Sequence, residues 1–333
     1  MRGGKGKKIV LIGHLDTVFE KDHPFQRFKR EGDKAYGPGV ADMKSGDVSI
    51  LYIMKALDHI GVLEKMNLTI VLTGDEEKLG ASPAIVRKEL VDAGKWADIG
   101  LGFEGTYGMD TGTVSRRSSS SWILTTTGIQ GHSSQVFSDR LGYGAIFESS
   151  RILDEFRTQL SEEQYLTFNP GVIVGGTSTQ FDPVLAQGSA FGKTNVVSQT
   201  VTVHGGIRTI SSDQLETAIK SMEKIVSNNL PGTTAKIEFK RSYPPMEPKR
   251  ANYKLLEKLE KINKALGYGA ITPLDPSRRG AADISFVAPY VDAALAGMGP
   301  DGHASHSSEE WLDLSSFPIT STRAAIFIYR LTR

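Results

Sequence analysis

Three consecutive acids close the run Leu68-Thr69-Ile70-Val71-Leu72-Thr73-Gly74-Asp75-Glu76-Glu77. Its apolar part reads as a buried strand, which places the acids at a strand end. Crowding carboxylates there is costly unless cations or protons balance them. A bound metal would do so, with Glu77 as a ligand and Glu76, one residue away, handling protons. A solvated acidic turn ahead of a helix is the competing reading, since acids favour helix N-termini. These five residues alone do not separate the two.

Other strand ends carry similar groups. His14-Leu15-Asp16 follows the apolar run at 8–13. Positions i and i+2 of an extended segment share a face, so both side chains can enter one site. Alternatively Asp16 reaches the far ring nitrogen and fixes the tautomer of His14. The glycine-rich loop Tyr36-Gly37-Pro38-Gly39-Val40-Ala41-Asp42 presents Asp42 at its end. Ser45 is a candidate N-cap for a helix over 46–59 with Val48, Leu51, Tyr52 and Ala56 on its apolar face. Glu104 terminates a strand over 99–103. His132 sits in a turn at 128–134, and His303 and His306 lie in a polar loop over 299–309. In open α/β sheets ligands bind beyond the carboxyl ends of the strands, and four polar ends of this kind argue for one site.

His14, Asp42, Glu77, Glu104 and His306 supply two imidazoles and three carboxylates, and the chain has no cysteine. That donor set suits zinc, with cobalt or manganese as substitutes. Five ligands exceed what one catalytic zinc with an open position needs. They fit two metals about 3.5–4 Å apart sharing a bridging carboxylate.

The elements that must position these groups fill a chain of 333 residues, enough for one large or two ordinary domains. A net charge of +1 gives no bulk electrostatic case for a nucleic-acid or membrane partner. No apolar run approaches the roughly 20 residues that span a bilayer. The basic start over residues 1–8 reads as a tail into a strand, because Ile9–Ile12 is too short for a signal peptide's apolar region. A helix is expected from Pro83 to about 92. The texture changes near Ser115, and two helices (143–159 and 211–228) with strands at 122–127, 171–175, 195–207 and 234–241 make a self-contained α+β unit. After Tyr243-Pro244-Pro245 the α/β texture returns, with helices at 252–266 and 315–331 and a strand at 293–298. The expected division is 1–115 and 244–333 for one domain and 116–243 for the insert.

Taken together, His14-Leu15-Asp16-Thr17-Val18, Gly37-Pro38-Gly39 through Asp42-Met43-Lys44-Ser45-Gly46, Thr73-Gly74-Asp75-Glu76-Glu77, Phe103-Glu104, Gly131-His132-Ser133 and His306-Ser307-Ser308-Glu309 resemble the M20 metallopeptidase family. Within it the chain is most similar to the glutamate carboxypeptidase (carboxypeptidase G2-like) branch. The resemblance implies an α/β, zinc-exopeptidase-type catalytic domain with a central mixed sheet, interrupted by an α+β, ferredoxin-like lid that dimerises. It implies two Zn2+ per chain: Asp42 bridges, His14 and Glu104 complete one site, and Glu77 and His306 the other. Asp16 orients His14, Glu76 is the general base, and His132 reaches a neighbouring active site to stabilise an oxyanion. Asn195 and Arg208 match lid positions that contact the substrate's free carboxylate.

The chain departs from the pattern in three places. The His14 strand comes almost at once, where family members have several dozen residues; a truncated chain would expose an apolar patch where those pack, and a naturally short form would not. Gly206 replaces a frequent Asp. Tyr243 stands where the glutamate-specific enzyme has an arginine, for which Arg278 or Arg279 are candidate substitutes. The expected activity is hydrolysis of an amide next to a free carboxylate, in a dipeptide or N-acyl amino acid, by a homodimer with no nucleic-acid or membrane partner. A soluble protein is expected, and the sequence leaves its compartment, cytoplasmic or periplasmic, open. An acetyl- or succinyl-removing deacylase and a non-catalytic metal-binding scaffold are the alternatives.

Overall fold

The structure is a computed structural model that describes residues 3, 4 and 6–333. The basic tail expected at the start includes residues 1, 2 and 5, which lie outside the described residues. The chain forms two compact units, one of residues 1–117 and 243–333 and one of 118–242.

The first unit is built on a four-stranded parallel sheet in the order Ala293–Leu295, Ile99–Gly102, Lys8–His14, Asn67–Thr73. Lys8–His14 is central and covered on both faces, so its apolar residues run without alternation. Ile9, Leu11, Phe103, Leu256 and Phe327 join one core with the helices Ser45–His59, Arg250–Ala265 and Ser316–Leu331. Val10, Ile12, Leu90, Ile284 and Val287 form the core on the other face, against the helix Lys88–Trp96. Asn67–Thr73, expected to be buried, is an edge strand, and Ile70 and Leu72 are exposed.

Two helices differ from expectation. Ser45–His59 buries Ile50, Ile53 and Leu57, while Val48, Leu51 and Tyr52 face outward. Ser45 is its first residue, and its hydroxyl has no partner among the described residues, so it is not the cap. The single helix expected from Pro83 breaks at Arg87 into Pro83–Val86 and Lys88–Trp96. A five-stranded sheet completes the unit in the order Lys29–Glu31, Lys34–Tyr36, Trp311–Asp313, Gly299–His303, Gly105–Thr106. Gly299–His303 falls inside the expected polar loop. It pairs on both sides, and at Gly299 a Cβ would meet the Phe103 carbonyl oxygen at 2.2 Å, so only glycine permits this approach.

The second unit has a four-stranded sheet in the order Thr233–Tyr243, Ser119–Gly128, Thr200–Arg208, Thr167–Gly176. With the helices Ala145–Leu160 and Ser212–Val226 the chain order is βαββαβ, the split arrangement of ferredoxin-like folds. Trp122 and Phe156 pack edge to face in its core. The hairpin Ser178–Asp182 with Gln187–Phe191 was not anticipated, and residues 195–199, read as strand, precede the strand Thr200–Arg208. Among the described residues no helix is long and apolar enough to cross a membrane.

Candidate metal centre

His14 ends the central strand and is almost fully buried. Its Nδ1 lies 3.2 Å from the Asp16 carbonyl oxygen and 3.4 Å from Asp16 Oδ1. With the ring hydrogen held on that side, the Nε2 lone pair points away, toward Asp42 Oδ1 at 3.2 Å. Asp16 also accepts hydrogen bonds from the Glu76 and Glu77 amides at 3.1 and 2.9 Å. One carboxylate thus touches the imidazole and holds the acidic turn.

Asp42 projects from a loop held by Glu310. The Glu310 carboxylate accepts hydrogen bonds from the amides of Gly39 and Ala41, both at 2.8 Å, and of Asp42 at 3.0 Å. The second oxygen of Asp42 lies 3.2 Å from His306 Nε2, which is itself 3.1 Å from Glu77 Oε2. One donor atom from each of His14, Asp42 and Glu77 lies within 4.8 Å of the others. The structure therefore brings together His14, Asp42, Glu77 and His306. Glu104 lines small cavities with His14 and with Asp42, and its Oε2 is held by Arg116. His303 has other partners: it stacks on Trp311 at 4.3 Å and lies 3.7 Å from Asp301.

The electrostatics call for cations. Burial opposes protonation of His14, but Asp16 and Asp42 overcome it and push its pKa up to about 12. Asp42 and Glu77 raise His306 to about 10. Burial works against ionising Asp42, yet His14 and His306 hold its carboxyl well below the usual range. Burial, and then Glu104, push Glu76 up to about 9. An imidazole lone pair facing a carboxylate needs a proton or a metal between them. Among the described residues Glu77 Oε1 is buried without a hydrogen-bond partner, a state that an ion or a water would relieve. The residues present thus fit divalent metal bound by imidazole and carboxylate.

Several contributing residues were not found from sequence. Glu310, not the exposed Glu309 beside it, grips the Asp42 loop; its place just before the strand Trp311–Asp313 was the available signal. Arg116 holds Glu104, and Arg87 is fully buried between Asp75 and Asp283. Both lie in stretches whose local pattern is that of ordinary surface arginines.

His132, Asn195 and Arg208 belong to the second unit. The Ser134 amide donates to His132 Nδ1 at 3.3 Å, which leaves the hydrogen of a neutral ring on the exposed Nε2. The Asn195 carbonyl accepts from the Ser133 amide at 2.9 Å, so Asn195 neighbours His132. Arg208 is exposed at the end of the strand Thr200–Arg208.

Comparisons with known proteins agree with this architecture. The profile of peptidase family M20/M25/M40 matches residues 10–329. Carboxypeptidase G2 of Pseudomonas sp. (strain RS-16) is 26% identical over 336 residues, covering 99% of this chain and 75% of its own. Succinyl-diaminopimelate desuccinylase of Rickettsia bellii (strain RML369-C) is 24% identical over 332 residues, covering 94% of this chain and 78% of its own. Among solved structures, the YXEP protein of Bacillus subtilis, described as a dinuclear metal-binding M20 peptidase, superposes with a TM-score of 0.66 at 14% identity, over 100% of this chain and 84% of that one. The aminopeptidase PepT of Bacillus cereus reaches 0.74 at 15% identity, over 99% and 82%. At such identities these structures speak to the fold alone. With the family profile matched along nearly its whole length, the chain belongs to peptidase family M20/M25/M40 and is a hydrolase of the metallopeptidase type.

Proposed function

We propose that the protein is a two-zinc enzyme that hydrolyses an amide bond next to a free carboxylate, in a dipeptide or N-acyl amino acid. One observation carries the dinuclear reading: the two oxygens of Asp42 face two different imidazoles, His14 and His306, each at 3.2 Å. That is the arrangement of a bridging carboxylate. His14 and Glu104 would hold one metal, Glu77 and His306 the other, with cobalt or manganese as substitutes.

The metals, when bound, lower the pKa of water and polarise the scissile carbonyl. Glu76 takes the proton from the attacking water and returns it to the leaving amine. Its carboxyl, pushed up by burial and Glu104, comes back into a useful range once divalent charge is near. Asp16 keeps His14 in the tautomer that offers Nε2. His132, with its hydrogen on Nε2, is assigned to the developing oxyanion of a neighbouring active site in a homodimer.

Arg279 supports recognition of a carboxylate. It is 8% exposed, its Nε has no hydrogen-bond partner among the described residues, and it lies over the Tyr107 ring at 4.5 Å. It lines the cavity that contains Asp42 and Glu104. Its guanidinium donates to the Gly105 carbonyl, a neutral acceptor. With no carboxylate partner among the described residues, this buried cation is suited to pair with an anionic substrate group. Asn195 and Arg208 are assigned to the same carboxylate from the second unit. A second reading, a desuccinylase-type deacylase, draws on Arg116: burial lowers the Arg279 pKa and the nearby Arg116 charge, itself paired with Glu104, lowers it further. Two guanidiniums suit a substrate with two carboxylates.

Zinc-loaded protein should be tested on N-acyl amino acids, N-succinyl amino acids and dipeptides, each with its C-terminal amide as control. The expected results are about two zincs per chain, cleavage of free acids only, and a loss in kcat of about 10³-fold or more in Glu76→Gln. Equal cleavage of amides would remove the carboxylate assignment, and a single zinc per chain would remove the dinuclear one.

A further inference from the structure

The Glu76 carboxylate makes no hydrogen bond or ion pair among the described residues, although its backbone is held on every side. A general base next in sequence to a metal ligand must be kept off the metals, and here only the peptide backbone can do it. Asp16 holds the amides of Glu76 and Glu77. The carbonyls are held from elsewhere. Arg87 Nη2 donates to the Asp75 carbonyl at 2.9 Å, and the Tyr243 hydroxyl donates to the Glu76 carbonyl at 2.8 Å. Arg87 Nη2 also donates to the Tyr243 oxygen at 3.0 Å, which aims that hydroxyl's own hydrogen at Glu76.

The anchorage behind this pair is buried. Arg87 is 0% exposed, and the helix breaks at this residue. Its Nη1 meets the Asp75 carboxylate and its Nε meets Asp283 Oδ1 at 2.7 Å. Asp283 in turn accepts from the Thr73 hydroxyl, at the end of the strand that leads into the turn. The Tyr243 ring packs on Phe286 at 5.0 Å. We propose that Arg87 and Tyr243 are positioning residues that hold the Glu76 peptide, and through it the general base, in its working orientation. At Tyr243, where the related branch is expected to carry an arginine, this chain has a neutral donor that serves the base. The proposal rests on the assignment of Glu76 above.

The test compares Tyr243→Phe, Arg87→Lys and the double variant with wild type, as zinc-loaded full-length chains. Four quantities are read: kcat and KM on the best-cleaved N-acyl amino acid, zinc per chain, melting temperature, and amide hydrogen exchange of the peptide spanning 73–79. Tyr243→Phe keeps the ring on Phe286 and removes only the hydroxyl. Its kcat should fall about ten- to a hundredfold, as a small misplacement of a reacting group does, with KM within about twofold, zinc unchanged, and faster exchange at 73–79. The double variant should be no worse than the weaker single one, because both act through one turn. Unchanged kcat and exchange in Tyr243→Phe would overturn the proposal, as would a loss that tracks zinc content. If Arg87→Lys does not fold, Tyr243→Phe still decides. If wild type cleaves nothing on the panel, the proposed activity fails, and the exchange data alone decide whether the pair holds the turn.

Discussion

His14 is 2% exposed at the end of a central strand, and its ring is held from behind by Asp16. Asp42 stands on a loop gripped at three amides by Glu310. In the second unit the corresponding candidates are treated differently. His132, Asn195 and Arg208 are all exposed, and of the three side chains only His132 has a partner among the described residues, Ser134. Metal ligands must be fixed before the ion arrives, or its binding energy goes into ordering them. Groups that meet a substrate can order as it binds. In the proposed assignment His14 and Asp42 stand on the fixed side and His132, Asn195 and Arg208 on the exposed one, whereas His306, also assigned as a ligand, is exposed and Arg279, assigned to the substrate, is buried.

The largest effect expected from that contrast is at His132. His132→Ala should lower kcat about 10²- to 10³-fold, the loss seen when an oxyanion donor is removed, while zinc content and melting temperature stay at wild-type values. Zinc analysis beside steady-state kinetics is the check. Loss of zinc would mean that His132 belongs with the fixed ligands and the contrast is misdrawn.

Glu310→Gln probes the fixed side. Glutamine offers one acceptor oxygen where the carboxylate offers two, and turns an N–H donor toward an amide that also donates. The Asp42 loop should loosen. Zinc affinity should fall about 10- to 100-fold, as when groups that orient ligands are removed, with kcat largely kept at saturating zinc. Competition with a fluorescent chelator gives the affinity. Unchanged affinity would show that the loop holds Asp42 without Glu310.

The same contrast explains what the sequence could reveal. Two of the proposed ligands, His14 and Glu104, stand out in the sequence because each sits where an apolar run meets a loop. Groups acting at one remove do not. Glu310 looks no different from Glu309 until the fold places Gly39 and Ala41 against it. Arg87 interrupts a good helical pattern because Asp75 and Asp283 draw it inward, and both are remote from its own turn. The helix Ser45–His59 carries two apolar stripes, and periodicity cannot choose between Ile50-Ile53-Leu57 and Val48-Leu51-Tyr52. The hairpin at 178–191 is rich in Ser, Thr, Gly and Ala and is exposed on nearly every residue, so it shows no core-facing alternation.

Two further buried carboxylates carry the comparison to stability. In the second unit, Glu148 is 0% exposed and fully engaged, with Arg151 at 2.7 Å and the Leu230 amide at 3.1 Å. In the first, Asp47 is 8% exposed and its Oδ1 has no hydrogen-bond partner among the described residues. It lies so close under Gly13 that a Cβ there would meet Oδ1 at 2.1 Å. Burial pushes the Asp47 carboxyl up to about 7, against the pull of His14. Because the folded pKa is raised, the folded state binds this proton more tightly than the unfolded chain does. The stability it contributes is present below the unfolded value of about 3.9 and is lost as pH rises toward 7. Asp47→Asn removes that titration. Measured on zinc-free protein so that metal binding does not intrude, the variant should melt close to wild type at pH 4. It should melt a few degrees higher at pH 8, an effect kept small because a charge in the first turn of Ser45–His59 is favoured by the helix dipole. A gap that does not change with pH would mean that Asp47 is not ionising across this range, and that the first unit keeps its unpaired carboxylate without cost.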